Sequence, residues 1–347
     1  MKNTVRRLLP LFLLTLSVWL VPFHRAVSAA DALQWTPVNI PAEGIAGKWT
    51  LANGSDIRNL TAAPDGTLYC SANPAGTTFT LFKSTDNGRG WIATGKVTDA
   101  IVDIAVLPRD STTIYYATAA RIFKSIDAGN TFTPVPVSPG GAGSGNVCIT
   151  SIDVVSNGTT NTVAVSTVDN DAAQYGGVYL LDESQFVGAW TNTNIGNYDV
   201  YRVAFSPDYP DDRQIIALAS NEIDTFITNR LNNGRWGGFI GSVRIPGIVP
   251  AAGSLAFPDK YVGLNNNTFF AGIDSGSNKG GVYKITADFS PAPSAAKDLK
   301  IGAVDNLNAV DISGLICSGN MLIAGCARKP IIYLSNDGGT SWTQSAR

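Results

Sequence analysis

Asp103, Asp153 and Asp311 each sit inside a short apolar run: Ile101-Val102-Asp103-Ile104, Ile152-Asp153-Val154-Val155 and Val310-Asp311-Ile312. An acid in such a run reads as a strand residue turned to a polar surface. Two carboxylates across a cleft, about 6–9 Å apart, are the acid and base that invert a glycosidic bond. These three aspartates are therefore the catalytic candidates. Their shared frame position also holds Asn59, Arg202 and Ser254. The competing reading is a polar ring around a water-filled channel, with no reaction at all.

Other chemistries find few residues. The one histidine is His24, and it falls in a segment read below as an export signal. Without it there is no imidazole base, no imidazole ligand and no Ser-His-Asp triad. Glutamate occurs at Glu43, Glu183 and Glu222 alone. The four cysteines, Cys70, Cys148, Cys317 and Cys326, contain no CxxC pair, which argues against zinc. They are small buried thiols or up to two bridges, with three full pairings open. Asp169-Asn170-Asp171 and Asp208, Asp211 and Asp212 are oxygen-rich, but neither has EF-hand spacing. Gly140-Gly141-Ala142-Gly143-Ser144-Gly145 has no following Lys to cradle a phosphate. No metal and no cofactor are expected.

The first 29 residues look like an address. Lys2, Arg6 and Arg7 precede an apolar run from Leu8 to Phe23, and Ala26-Val27-Ser28-Ala29-Ala30 suits a signal peptidase. The run is shorter than the roughly 18–20 residues of a spanning helix. Cleavage after Ala29 leaves no other transmembrane segment and 21 basic residues against 27 acidic ones. An acidic, exported chain is a poor nucleic-acid binder.

The elements that would position the aspartates come from a repeat. Ser84-Thr85-Asp86-Asn87-Gly88-Arg89-Gly90-Trp91, Ser125-Ile126-Asp127-Ala128-Gly129-Asn130-Thr131-Phe132 and Ser335-Asn336-Asp337-Gly338-Gly339-Thr340-Ser341-Trp342 share the frame S-x-D-x-G-x-x-[W/F]. Ser and Asp side chains accept backbone N–H groups inside a tight turn. Glycine supplies a positive φ, and the aromatic opens the next strand. Each motif is thus a corner between antiparallel strands. A strand of the type Ile101–Val106 and another of the type Ile114–Ala117 precede each corner. The unit of four strands recurs every 40–56 residues or so, the size of a propeller blade.

The expected fold is an all-β propeller of four-stranded antiparallel blades, with six recognisable at about 55–99, 100–145, 146–197, 198–247, 248–303 and 304–347. Residues 1–29 form the signal and 30–347 the propeller domain. Gln34-Trp35-Thr36-Pro37-Val38 matches Thr131-Phe132-Thr133-Pro134-Val135, an outer strand without the rest of its blade. That leaves six blades with an extra edge strand, or seven if the chain is incomplete.

The repeats resemble the BNR/Asp-box propeller superfamily, which includes sialidases, xyloglucanase-type glycoside hydrolases, sortilin-type receptors and photosystem II stability/assembly factors. The unit-two frame IxDIAxxP, YxAT and IFKSxDxG is most similar to the assembly factors. The resemblance implies that Ser84, Asp86, Gly88, Trp91, Ser125, Asp127, Gly129, Phe132, Ser335, Asp337, Gly339 and Trp342 are structural. For the sialidases it implies an arginine triad, which Arg244-Ile245-Pro246 alone does not complete. For the assembly factors it implies binding to a membrane protein complex through an arginine patch, for which Arg58, Arg202 and Arg244 are candidates. The expected function is an exported, non-catalytic scaffold in the cell envelope or outside the cell, taking a protein or glycan at its loop face. The alternative is a glycoside hydrolase. The longest loops, Ser138–Asn146, Asp169–Gly177 and Ser275–Gly281, are read as inter-blade connections.

Overall fold

A computed structural model describes residues 55–73, 77–184, 189–238, 242–263, 268–286 and 295–345. The chain divides into units 1–37 and 38–347. The signal segment and the outer strand at 34–38 lie outside the described residues.

The described residues form six sheets of four antiparallel strands each. Blade 1 contains β1 (Asp56–Ala62), β2 (Leu68–Asn73), β3 (Leu81–Ser84) and β4 (Ile92–Ala93). Blade 2 contains β5 (Ile101–Val106), β6 (Ile114–Thr118), β7 (Ile122–Ser125) and β8 (Thr133–Pro134). Blade 3 contains β9 (Val147–Ser156), β10 (Asn161–Asp169), β11 (Gly177–Asp182) and β12 (Thr191–Asn192). Blade 4 contains β13 (Asp199–Phe205), β14 (Gln214–Ser220), β15 (Thr225–Leu231) and β16 (Ser242–Ile245). Blade 5 contains β17 (Ala252–Ala256), β18 (Thr268–Asp274), β19 (Gly281–Thr286) and β20 (Ala295–Asp298). Blade 6 contains β21 (Ile312–Ser318), β22 (Met321–Cys326), β23 (Ile332–Ser335) and β24 (Thr343–Gln344). Every blade pairs its strands in chain order. One helical turn, Tyr209–Asp212, and two short 3-10 segments complete the described structure. This is a six-bladed β-propeller.

In blades 3, 4 and 5 the second strand is the most deeply buried, because both of its faces meet a neighbouring sheet. β14 is buried at all seven positions. Such a strand reads as a continuous apolar run rather than an alternating one. Apolar clusters then join blades 1 to 2, 2 to 3, 3 to 4, 4 to 5 and 5 to 6. In the first of these, Tyr69 and Leu81 pack against Ile101, Ile104, Ile114 and Tyr116. Burying side chains of this size contributes roughly 1.5–3 kcal/mol each.

The three S-x-D-x-G-x-x-[W/F] corners share one hydrogen-bond scheme. In each, the serine hydroxyl donates to the aspartate and accepts the glycine N–H. At the second corner Ser125 Oγ lies 2.7 Å from Asp127 Oδ1, and Gly129 N lies 2.9 Å from Ser125 Oγ. The aspartate then accepts the N–H four residues on: Gly90 at 2.7 Å, Thr131 at 2.9 Å and Ser341 at 2.9 Å. Gly129 has φ +79°, and a Cβ at Gly339 would stand 2.3 Å from Leu299. The corners also fasten blades together. Tyr69 Oη donates to Ala128 O, and Trp342 Nε1 donates to Leu299 O. Trp190 and Trp236, in units whose corners lack the full motif, donate to Val137 O and Thr193 Oγ1 of the preceding blades.

Candidate functional site

The first strands of the six blades surround one cavity of about 890 Å3. Its mouth lies where these strands begin, on the face opposite the corners. Residues of all six blades line it, among them Arg58, Val102, Thr150, Tyr201, Gly253 and Ser313.

A shared irregularity builds this mouth. β1, β5, β9, β13 and β21 each carry one extra residue in their pairing with the next strand, at Arg58, Val102, Thr150, Tyr201 and Ser313. A bulge leaves that residue without a ladder partner and turns it out of the alternation. All five bulge residues line the cavity. β17 has no bulge, and small residues, Ala251, Ala252 and Gly253, line the wall there.

The bulges give a common landmark on which the three aspartates do not align. Measured from the bulge, Asp103 is equivalent to Asn59, Ser151, Arg202 and Gly314. Asp153 lies two residues further along its strand, and Asp311 precedes β21. Only Asp103 therefore occupies the assumed ring position.

Each of the three carboxylates is engaged with the protein. Asp103 accepts from the backbone N–H of Ile104 and of Ile152 in blade 3, both at 3.0 Å, and from Arg202 of blade 4 at 2.7 Å. Asp153 accepts from Val154 and from Phe205 of blade 4 at 2.8 Å each. Burial pushes its carboxyl up to about 6, against the pull of those N–H groups and Arg202. Asp153 borders a different cavity, with Pro108, Arg109 and Pro207, at the turns on the opposite face. Asp311 accepts from Ser275 N and Oγ, Asn278 N, Gly280 N and Arg328 Nε. Burial raises its carboxyl, but these donors outweigh it and hold the group down at about 2. Asp199 does the same for blade 3, accepting Asp169 N and Gly176 N. The structure thus brings Asp103 and Asp153 to either side of Arg202 and sets Asp311 apart as a loop clamp.

That clamp corrects the reading of the loops. Asp169–Gly177 and Ser275–Gly281 are hairpin connections within blades 3 and 5, and Ser138–Asn146 alone joins two blades. All three emerge on the mouth face. The acidic residues of the first loop bond to their own surroundings: Asp171 accepts from Asn146, and Asp169 accepts Asp171 N. Among the described residues no three metal-ligating side chains come together.

The open charges at the mouth are mixed. Arg58 pairs with Asp56 at 3.0 Å, both well exposed. Arg328 bridges Asp311 at 3.2 Å and Asp274 at 3.9 Å. Burial raises the Asp274 carboxyl. Arg202 keeps its Nε without a hydrogen-bond partner. Lys329 and Tyr201 complete the rim. Arg244 stands away from the cavity, on β16, paired with Asp224 at 2.6 Å. Glu183 is bound by Tyr115 and Lys124. Sequence reading singled out Arg58 and Arg202, which both line the cavity. It missed Val102, Thr150, Ser313 and the Arg328-Lys329 pair, for which only the offset between neighbouring first strands was a signal.

No protein-family profile matches the chain, and no curated sequence matches it. Solved structures do. YCF48 from Cyanidioschyzon merolae superposes with a TM-score of 0.55 at 12% identity, covering 84% of this chain and 85% of that one. The GH74 xyloglucanase from Xanthomonas campestris gives 0.53 at 14%, covering 85% of this chain. This chain spans 46% of that enzyme. YCF48 bound to D1 peptide gives 0.51 at 13%, covering 88% of this chain and 87% of that one. These likenesses establish the propeller fold, shared by assembly factors and glycoside hydrolases.

Proposed function

We propose that this protein is a non-catalytic binding propeller that takes an extended protein segment at the channel mouth. The observation that carries the reading is the engagement of all three candidate carboxylates with backbone N–H groups, and of Asp103 and Asp311 with arginines as well. These contacts give the carboxylates a structural duty, holding neighbouring blades and a loop in place. The mouth suits polypeptide, because paired cations and acids with Tyr201 offer donors and acceptors to a backbone. The YCF48–D1 peptide structure is a precedent for a protein ligand on this fold. In this reading the three corners are Asp boxes with a structural role. Residues 1–29 direct export, and the propeller works in the cell envelope or outside the cell.

Asp274 favours a second reading. It opens to the cavity, and burial raises its carboxyl as a glycosidase acid requires. The test is therefore paired. Peptide arrays are probed with the wild-type chain and with Arg58→Glu/Lys329→Glu, and reducing-sugar release is measured on xyloglucan, β-glucans and sialosides. Peptide binding lost in the double variant, with no sugar release, supports the binding propeller. Sugar release that disappears in Asp274→Asn overturns it.

A further inference from the structure

The cavity that Asp153 borders holds about 470 Å3 and lies between the turns of blades 2, 3 and 4. None of its lining residues belongs to the mouth. Its walls are apolar, with Pro108, Val155, Phe205, Pro207 and Pro210. Val155 and Phe205 are buried, and the three prolines are exposed at the rim. Proline has a fixed φ and almost no side-chain freedom to lose, so this rim is formed before anything binds. Apolar walls around a few placed polar groups are the usual form of a small-molecule site.

Asp153 supplies the polar group. A carboxylate offers about four acceptor sites. Val154 N takes one on Oδ1 and Phe205 N takes one on Oδ2, so each oxygen keeps a site for a ligand. Neighbouring polar side chains of the lining are tied to other partners. Asp110 accepts from Thr112 and Thr113. Ser206 donates to Asp212, and Asn161 donates to Glu183.

The balance of charge favours a cation here. Arg202 approaches Asp153 from the channel side, but its Nη1 is bonded to Asp103 at 2.7 Å. Arg109 stands at the rim, exposed, with φ +71°. Asp110 lines the cavity as well, and Asp208 adjoins Pro207 in sequence. An anion entering this cavity meets acids. A hard metal ion needs six or more oxygen ligands, which one available carboxylate does not provide.

We infer that this cavity binds an organic ammonium group, with Asp153 as its counter-ion and the three rim prolines around its alkyl part. The pairing needs an ionised carboxylate. Burial pushes Asp153 up to about 6, with Arg202 pulling it down and Asp103 pushing it up. Affinity is therefore expected to fall by about tenfold from pH 7.5 to pH 5.

The test is saturation-transfer NMR of the full chain with n-butylammonium, against butyrate and 1-butanol of the same chain length. Butylammonium is expected to bind at pH 7.5, several-fold more tightly than either control, and to weaken at pH 5. Asp153→Asn is expected to abolish that binding. Arg109→Asn removes a like charge from the rim, and Asn tolerates the left-handed backbone there. It is expected to tighten butylammonium binding several-fold. Butylammonium that gives no signal overturns the inference, and so does a signal that Asp153→Asn leaves intact. Unchanged affinity in Arg109→Asn overturns it as well. Equal binding of 1-butanol overturns it in favour of a purely apolar cavity. Butyrate binding that Arg109→Asn abolishes overturns it in favour of an anion site.

Discussion

Asp103 has two duties at once, because its carboxylate holds the backbone of blade 3 and the guanidinium of Arg202 in blade 4. Asp103→Ala removes the carboxylate that bonds Arg202 and leaves the Ile152 N–H without its acceptor. Urea unfolding is expected to show a loss of about 1–3 kcal/mol. Asp103→Asn keeps an acceptor for Ile152 N–H and loses less. The corner aspartates carry a pH signature instead. Side-chain and backbone donors at Thr131, with Ser125, hold the Asp127 carboxyl at about 2, below its ordinary 3.8. A depressed folded value means that its contribution is whole above about pH 4 and drains as pH falls towards 2. Asp127→Asn is expected to flatten the acid limb of the melting temperature between pH 4 and 2. Asp153 has the opposite sign. Its folded value near 6 means that the folded state holds the proton more tightly than the unfolded chain. Its contribution is favourable below about pH 4 and is lost as pH rises through 6. The melting temperature of Asp153→Asn, relative to wild type, is expected to rise from pH 4 to pH 7. A constant difference across that range removes Asp153 as a titrating group.

At the scale of elements, the first strand of each blade does most to shape the site. In five of the six blades its bulge turns one residue into the mouth, and in blade 3 its polar positions latch the next blade. Thr150 Oγ1 donates to Val200 O, and Val203 N donates to Ser151 Oγ. The hairpin loops on the mouth face depend on glycines that leave no room for a side chain. A Cβ at Gly280 would stand 2.0 Å from Ile273 O and 2.7 Å from Asp311 Oδ1. Gly280→Ala therefore pushes the loop off its clamp. The expected result is faster amide exchange at Ser275, Asn278 and Gly280, with exchange in β18 unchanged. Exchange unchanged in the loop as well removes the clamp from Asp311.

For the whole molecule, stability comes from blade-to-blade packing and not from covalent staples. All four cysteines are free thiols. Burial pushes Cys70 up to about 12 and Cys317 up to about 11, so neither is a ready thiolate. The melting temperature is expected to be the same with and without dithiothreitol. A drop on reduction would reveal a disulfide and require the blades to move.

Much of this architecture was legible in the chain. The corner motif is local chemistry: a serine, an aspartate and a glycine within five residues satisfy one another wherever they fold. Apolar runs at blade spacing then require sheets stacked face to face, so four-stranded blades and their order follow from the sequence itself. The identity of the site did not follow. Strand pairing is a tertiary property, and the pairing places Asp153 two residues past, and Asp311 three residues before, the position that Asp103 holds. The partners that occupy the three carboxylates come from other strands and blades, such as Arg202 for Asp103 and Ser275 for Asp311. Local sequence specifies local hydrogen bonds. Whether a buried acid is free to react is set by donors far away in the chain, and tertiary structure alone brings those to it.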